Sequence, residues 1–136
     1  MVHCPRMNSR ELSADDAALL EAAETARARA VGEIACGAAV RTASGAVFTA
    51  ASIDAPVPSL SVCAGQLAIC VAVAAGDRAI VALARVRPGS SSAPCGRCLQ
   101  TLLEFATEAR VHWRAADGPP MSCALRDLLP LPFERF

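Results

Sequence analysis

The segment Ala79-Ile80-Val81-Ala82-Leu83-Ala84-Arg85-Val86 constrains the fold more than any other. It reads as a continuous apolar strand, the kind that is buried on both faces. Such a strand has no side to give to water, so other elements must cover it above and below. The chain supplies them. Ser13 reads as a helix N-cap with Asp16 three residues on, and that helix is expected to run to about residue 30. Leu19, Leu20, Ala23 and Ala26 form its buried side, and Glu21, Glu24, Arg27 and Arg29 its outer side. A second helix is expected over residues 63–75, stopping at Gly76-Asp77. It is apolar nearly all round, which marks a central buried helix. A third is expected over residues 99–108.

Strands fill the intervals. Residues 36–42 and 46–53 read as two strands joined by Ala43-Ser44-Gly45, a short hairpin loop with glycine available for positive φ. The prolines of Ala55-Pro56-Val57-Pro58-Ser59 forbid regular pairing. Pro88-Gly89-Ser90-Ser91-Ser92-Ala93 reads as a flexible loop. Arg110-Val111-His112-Trp113-Arg114 is a strand, residues 121–125 a last short one, and Asp127-Leu128-Leu129-Pro130 a closing helical turn. Helices interleaved with strands predict an α/β fold, a three-layer α/β/α sandwich around one sheet. A length of 136 residues fits one domain, with residues 1–12 as a loose start.

Composition excludes several classes of function. Hydrophobic residues make up 54% and charged residues 19%, too apolar and too weakly charged for a disordered chain. Thirteen basic residues balance thirteen acidic ones, and no run of like charge appears, so no nucleic-acid partner is expected. The longest apolar stretch, residues 67–75, is too short for a bilayer, so no membrane partner is expected. Met1-Val2-His3-Cys4-Pro5-Arg6 lacks an apolar signal core, which makes the cytoplasm the expected compartment.

Seven cysteines in such a chain are expected to be reduced, metal-bound or buried rather than disulfide-paired. Three sit where a metal would want them. Cys95 and Cys98 form a C-x-x-C pair at a loop-to-helix junction, and Cys63 opens the preceding long helix. Free N–H groups at a helix start favour negative sulfur. Three protein ligands and one open position is the pattern of catalytic zinc, whereas structural zinc is closed by four. Spacing alone leaves three readings open: zinc, a thioredoxin-type redox pair, or unliganded buried thiols. Cys36 and Cys70 read as small buried hydrophobes, and Cys4 and Cys123 carry no signal.

Cys63-Ala64 followed by Pro94-Cys95-Gly96-Arg97-Cys98-Leu99-Gln100 resembles the zinc site of the cytidine deaminase family, with its [HC]-A-E and P-C-x-x-C helix starts. Gly37-Ala38-Ala39, Ser44-Gly45, Gln100, Glu104-Phe105, Leu128-Leu129-Pro130 and Phe133 follow in family order. The chain is most similar to the short homotetrameric cytidine deaminases and the blasticidin S deaminases. The resemblance implies a mixed five-stranded sheet and Zn2+ on Cys63, Cys95 and Cys98. It implies a homo-oligomer, tetramer or dimer, acting on a small molecule. It also implies that Ser52, Asp54, Ala64 and Phe133 surround the substrate, with Phe133 reaching a neighbour's pocket.

The departures are local. The family's general acid/base is a Glu that takes a proton from the attacking water and hands it to the ring nitrogen and leaving amine. Here that position is Gly65, which cannot move a proton. Gln66 stands where the family often has an Arg beside the thiolates. Ser52-Ile53-Asp54 resembles a shortened form of the sugar-binding Asn-x-Glu, and reads equally well as a polar strand end with a turn-forming Asp. Val31-Gly32-Glu33-Ile34-Ala35 replaces an aromatic-rich segment, and Glu33 is a candidate pocket carboxylate that reads better as a solvated loop acid. Gly65 is expected to open room beside the metal, and either Arg97 or a helix N-terminus to compensate for the missing cation. The expected function is a zinc-dependent hydrolase of a pyrimidine nucleoside or nucleoside-like compound with altered substrate or chemistry. The alternatives are an inactive zinc-binding homologue that binds a nucleoside or a partner subunit, and a zinc that merely staples the two helix starts.

Overall fold

The structure, a computed structural model, describes residues 12–134. Cys4 and nearly all of the expected loose start lie outside the described residues. Five strands form one sheet: β1 (Gly37–Thr42), β2 (Val47–Ala51), β3 (Ile80–Arg87), β4 (Arg110–Ala115) and β5 (Met121–Ala124). Their order is β2-β1-β3-β4-β5, with β3 in the centre. β1 pairs antiparallel with both β2 and β3, β4 antiparallel with β5, and β3 with β4 is the parallel pair. A parallel pair needs a crossover, and here it is the helix α3 (Gly96–Leu103). Gly45, at φ +88°, closes the β1–β2 hairpin.

Alternation along the strands sends residues to two cores. Ala39, Ala82, Ala84 and Val86 meet Leu19, Leu20 and Ala23 of α1 (Ala14–Ala26). Ala38, Val40, Leu83, Val111 and Trp113 meet α2 (Ala64–Ala74) and α3. The three-layer α/β/α sandwich around a mixed five-stranded sheet is therefore the observed architecture. A short α4 (Leu125–Leu128) ends on the α2–α3 side through Leu125. None of the described helices is long and apolar enough to cross a membrane.

Local chemistry fixes the elements. Ser13 Oγ accepts the Asp16 backbone N–H at 3.1 Å, and Asp15 and Asp16 lie at the positive end of the α1 dipole. Gly37 lets α1 approach β1 closely, since a Cβ there would lie 1.9 Å from the Ala23 carbonyl oxygen.

Four expectations need correction. α1 ends at Ala26 in a 3-10 turn (Arg27–Arg29), because Val31 leaves the helix to donate to the Ser52 carbonyl at 2.9 Å. α3 starts at Gly96 and ends at Leu103, five residues short of the expected end. α2 has one buried side (Ala64, Gly65, Ala68, Ile69, Ala72) but is not buried all round, since Cys70 and Val71 are exposed. Cys123 is disulfide-bonded rather than a free thiol.

Candidate metal centre and its cavity

Cys63 and Cys95 are the N-cap residues of α2 and α3, both in extended conformation. An N-cap side chain normally faces the free N–H groups of the first helical turn, a place that suits a thiolate. Cys98 lies one turn into α3, so the C-x-x-C spacing folds it back beside Cys95. The three Sγ atoms lie within 4.8 Å of one another. Cys95 Sγ is 3.6 Å from Cys98 Sγ and 3.9 Å from Cys63 Sγ, while Cys63 and Cys98 are 2.9 Å apart.

Those lengths test whether zinc fits. A tetrahedral ion with Zn–S of ~2.3 Å sets sulfurs about 3.8 Å apart. Two edges of the triangle already have that length, and the third needs Cys63 and Cys98 to separate by about 0.9 Å. The donors are soft and uniform, as zinc prefers. The triad can hold a metal ion.

Electrostatics favour one anionic sulfur even without a metal. The Cys98 hydrogen bond, helped by the Gln66 backbone N–H and opposed by burial, lowers Cys63 to about 6. Cys98 is pushed up, first because it supplies that hydrogen bond and then by its own burial. Burial also raises Cys36.

The triad forms part of the wall of a cavity of about 300 Å3, together with Ser52, Asp54, Ala64, Arg85, Arg87 and Arg97. Sequence reasoning thus brings Ser52, Asp54 and Ala64 to the same place as the cysteines. Ser52 is buried, and its hydroxyl donates to the Ile34 carbonyl at 2.7 Å and accepts the Cys36 N–H at 3.1 Å. It holds the β1–β2 wall together. Asp54 Oδ2 accepts the Ile34 N–H at 3.3 Å, a single long bond for a group with two oxygens. Glu33 is exposed and outside the cavity wall.

Phe133 does not line this cavity and is 67% exposed. Gln100 pins it, with Oε1 accepting the Phe133 N–H at 2.9 Å and Nε2 donating to its carbonyl at 3.1 Å.

Gly65 is buried, and a Cβ there would lie 2.8 Å from Cys98 Sγ and 3.3 Å from Cys98 Cβ. The expected room beside the metal is absent because the Cys98 sulfur occupies it. Arg97 is among the residues lining the cavity.

The loop before Cys95 is better held than its composition predicts. Arg85 and Trp113 are register partners on β3 and β4. Arg85 Nη2 donates to the Ser92 carbonyl, and Trp113 Nε1 donates to the Ser91 carbonyl at 2.9 Å. Arg85 itself was missed from the sequence. Its only signal is a charge inside an otherwise apolar strand.

The family profile for cytidine deaminase-like proteins matches residues 12–118. The chain belongs to the cytidine deaminase-like family. A cytidine deaminase from Burkholderia pseudomallei is similar in structure with a TM-score of 0.79 and 33% identity, covering 85% of this chain and 97% of that one. The cytidine deaminase of Mycobacterium tuberculosis gives a TM-score of 0.75 at 31% identity, over 90% of this chain and 100% of that one. Blasticidin-S deaminase from Bacillus cereus is 29% identical over 108 residues, which is 73% of this chain and 76% of that protein. The match covers both cysteine segments, so this cytidine deaminase-like chain carries the triad within the family domain.

Proposed function

We propose that this chain is a zinc-dependent aminohydrolase acting on a pyrimidine nucleoside or nucleoside-like compound, with chemistry altered at position 65. The observation that carries the reading is the convergence of Cys63, Cys95 and Cys98 on a cavity that also contains Asp54 and Ala64. When bound, zinc supplies a Lewis acid that polarises an amidine-like carbon and activates water. Cys63, Cys95 and Cys98 hold it. Asp54 accepts a sugar hydroxyl, and the Ser52 bridge between Ile34 and Cys36 keeps that wall in place. Ala64 supplies a flat apolar surface for the ring. Gly65 moves no proton, so transfer to the ring nitrogen and departing amine falls to the substrate or to solvent. General acid–base catalysis is worth roughly 10²–10⁴-fold, and turnover of cytidine is expected to be slower by at least that factor.

A second reading, a zinc-bound homologue that binds without turnover, is favoured by the Cys98 sulfur filling the place of a side chain at 65. Assembly into a homotetramer or dimer belongs to both readings. It is supported by the exposed apolar side of α2 and by Leu131, 92% exposed.

A deamination assay with cytidine on zinc-loaded protein, beside Gly65→Glu, tests the proposal. Turnover by the wild type that disappears in Cys95→Ser establishes the enzyme. A silent wild type with an active Gly65→Glu establishes the binding homologue. Because a side chain at 65 presses on Cys98, silence of Gly65→Glu carries no weight by itself; a silent wild type that also fails to bind cytidine in titration calorimetry excludes cytidine as the ligand.

A further inference from the structure

β3 is the central strand, and Leu83, Arg85 and Arg87 alternate onto the face that carries the cysteines, while Ala82, Ala84 and Val86 face α1. Arg85 is only 7% exposed. Burying a guanidinium is costly unless an anion or a full set of acceptors meets it. Arg85 has neither. It makes no ion pair among the described residues, its Nη2 is used by the Ser92 carbonyl, and its buried Nε has no partner among the described residues. By contrast, Arg27, Arg41, Arg114 and Arg126 all have carboxylates.

The cavity wall extends the pattern. Arg85, Arg87 and Arg97 face it, and Asp54 is its carboxylate. Three thiolates on a divalent ion add one negative charge. The metal-loaded cavity therefore keeps an excess of one positive charge, in a space where charges are poorly screened.

We infer that Arg85, supported by Arg87, recognises an oxyanion, so that the ligand of this cavity is an amino-pyrimidine compound bearing a phosphate or a carboxylate. The pyrimidine part rests on the function proposed above; the oxyanion part rests on the arginines alone. A guanidinium fork suits either group, since both present paired oxygens. Asp54 opposes an anion on its own wall, which assigns the oxyanion to the β3 side.

Titration calorimetry on the zinc-loaded protein tests this with cytidine, cytidine 5′-monophosphate, cytidine 5′-carboxylate and inorganic phosphate. The expected result is that one or both anionic cytidines bind about tenfold to a hundredfold tighter than cytidine, as charged hydrogen bonds imply. Whichever of the two shows the gain identifies the oxyanion. The gain should shrink with added salt, largely vanish in Arg85→Gln and survive in part in Arg85→Lys. The salt series needs only wild-type protein, so it stands if the variants fail to fold. Cytidine binding as tightly as both anionic forms overturns the inference. So does an Arg85→Gln variant that weakens zinc in chelator competition yet keeps the anion preference, since Arg85 then serves the thiolates. Phosphate binding that depends on Arg85, with no cytidine compound bound, upholds the oxyanion site and overturns the pyrimidine reading instead.

Discussion

At residue 65 the decisive quantity is a distance of 2.8 Å between a hypothetical Cβ and the Cys98 sulfur. The sulfur ends a short side chain beside other buried groups, so it yields only by turning toward the cavity. Gly65→Ala is expected to lower stability by ~1–3 kcal/mol through overpacking, read by urea unfolding of the metal-free protein. Leu83→Ala, fully buried and 3.9 Å from the same Cβ position, is expected to cost ~2–5 kcal/mol by leaving a cavity. The three metal-ligand candidates were legible because ligand type and helix-start position show in sequence. The volume at 65 was not, since it depends on a contact between α2 and α3. Nor was the occupation of the Ser52 hydroxyl by Ile34 and Cys36, which are brought near only by the hairpin.

At the scale of elements, the cap at Ser13 and the apolar run of β3 were readable because each is a local pattern. The ends of α1 and α3 were not. α1 stops where Val31 finds the Ser52 carbonyl, a partner 21 residues away in sequence, and no propensity foresees that bond. The same applies to the C-terminal tail, fixed on α3 by the paired bonds of Gln100 to Phe133. Gln100→Ala is expected to speed amide exchange in residues 130–134 while leaving the sheet unchanged, with at most about 1 kcal/mol lost overall because these bonds face solvent. Hydrogen–deuterium exchange resolved by segment measures both.

For the molecule as a whole, the layer between α1 and the sheet contains a buried polar pair of its own. His112 is 1% exposed, with Nε2 3.2 Å from Asp16 Oδ1, which also accepts Arg41 at 2.9 Å. Burial outweighs the Asp16 attraction and lowers His112, with Arg110 and Arg41 adding to the effect. Asp16 is lowered too: burial opposes this, but the Arg41 hydrogen bond, His112 and the Ser13 cap prevail. A lowered histidine binds its proton more readily when unfolded, so stability falls as pH drops below about 6.5. A lowered carboxylate sustains stability above its unfolded value near 3.8, and that support disappears below it. Two acid steps are expected in stability against pH, the first with a slope of at most ~1.4 kcal/mol per pH unit. His112→Gln should flatten the first and keep the second. The exposed apolar side of α2 also predicts a mass above that of one chain in light scattering, and a monomer would remove assembly from the proposal.

The indole of Trp113 donates to the loop that delivers Cys95. It is the chain's one tryptophan, and there is no tyrosine. Emission in the tryptophan range, beyond that of the four phenylalanines, therefore comes from a single indole tied to the metal loop. Adding zinc to metal-free protein should change its intensity or wavelength and reach a plateau at one equivalent, turning the fold's own anchor into an optical gauge of site occupancy.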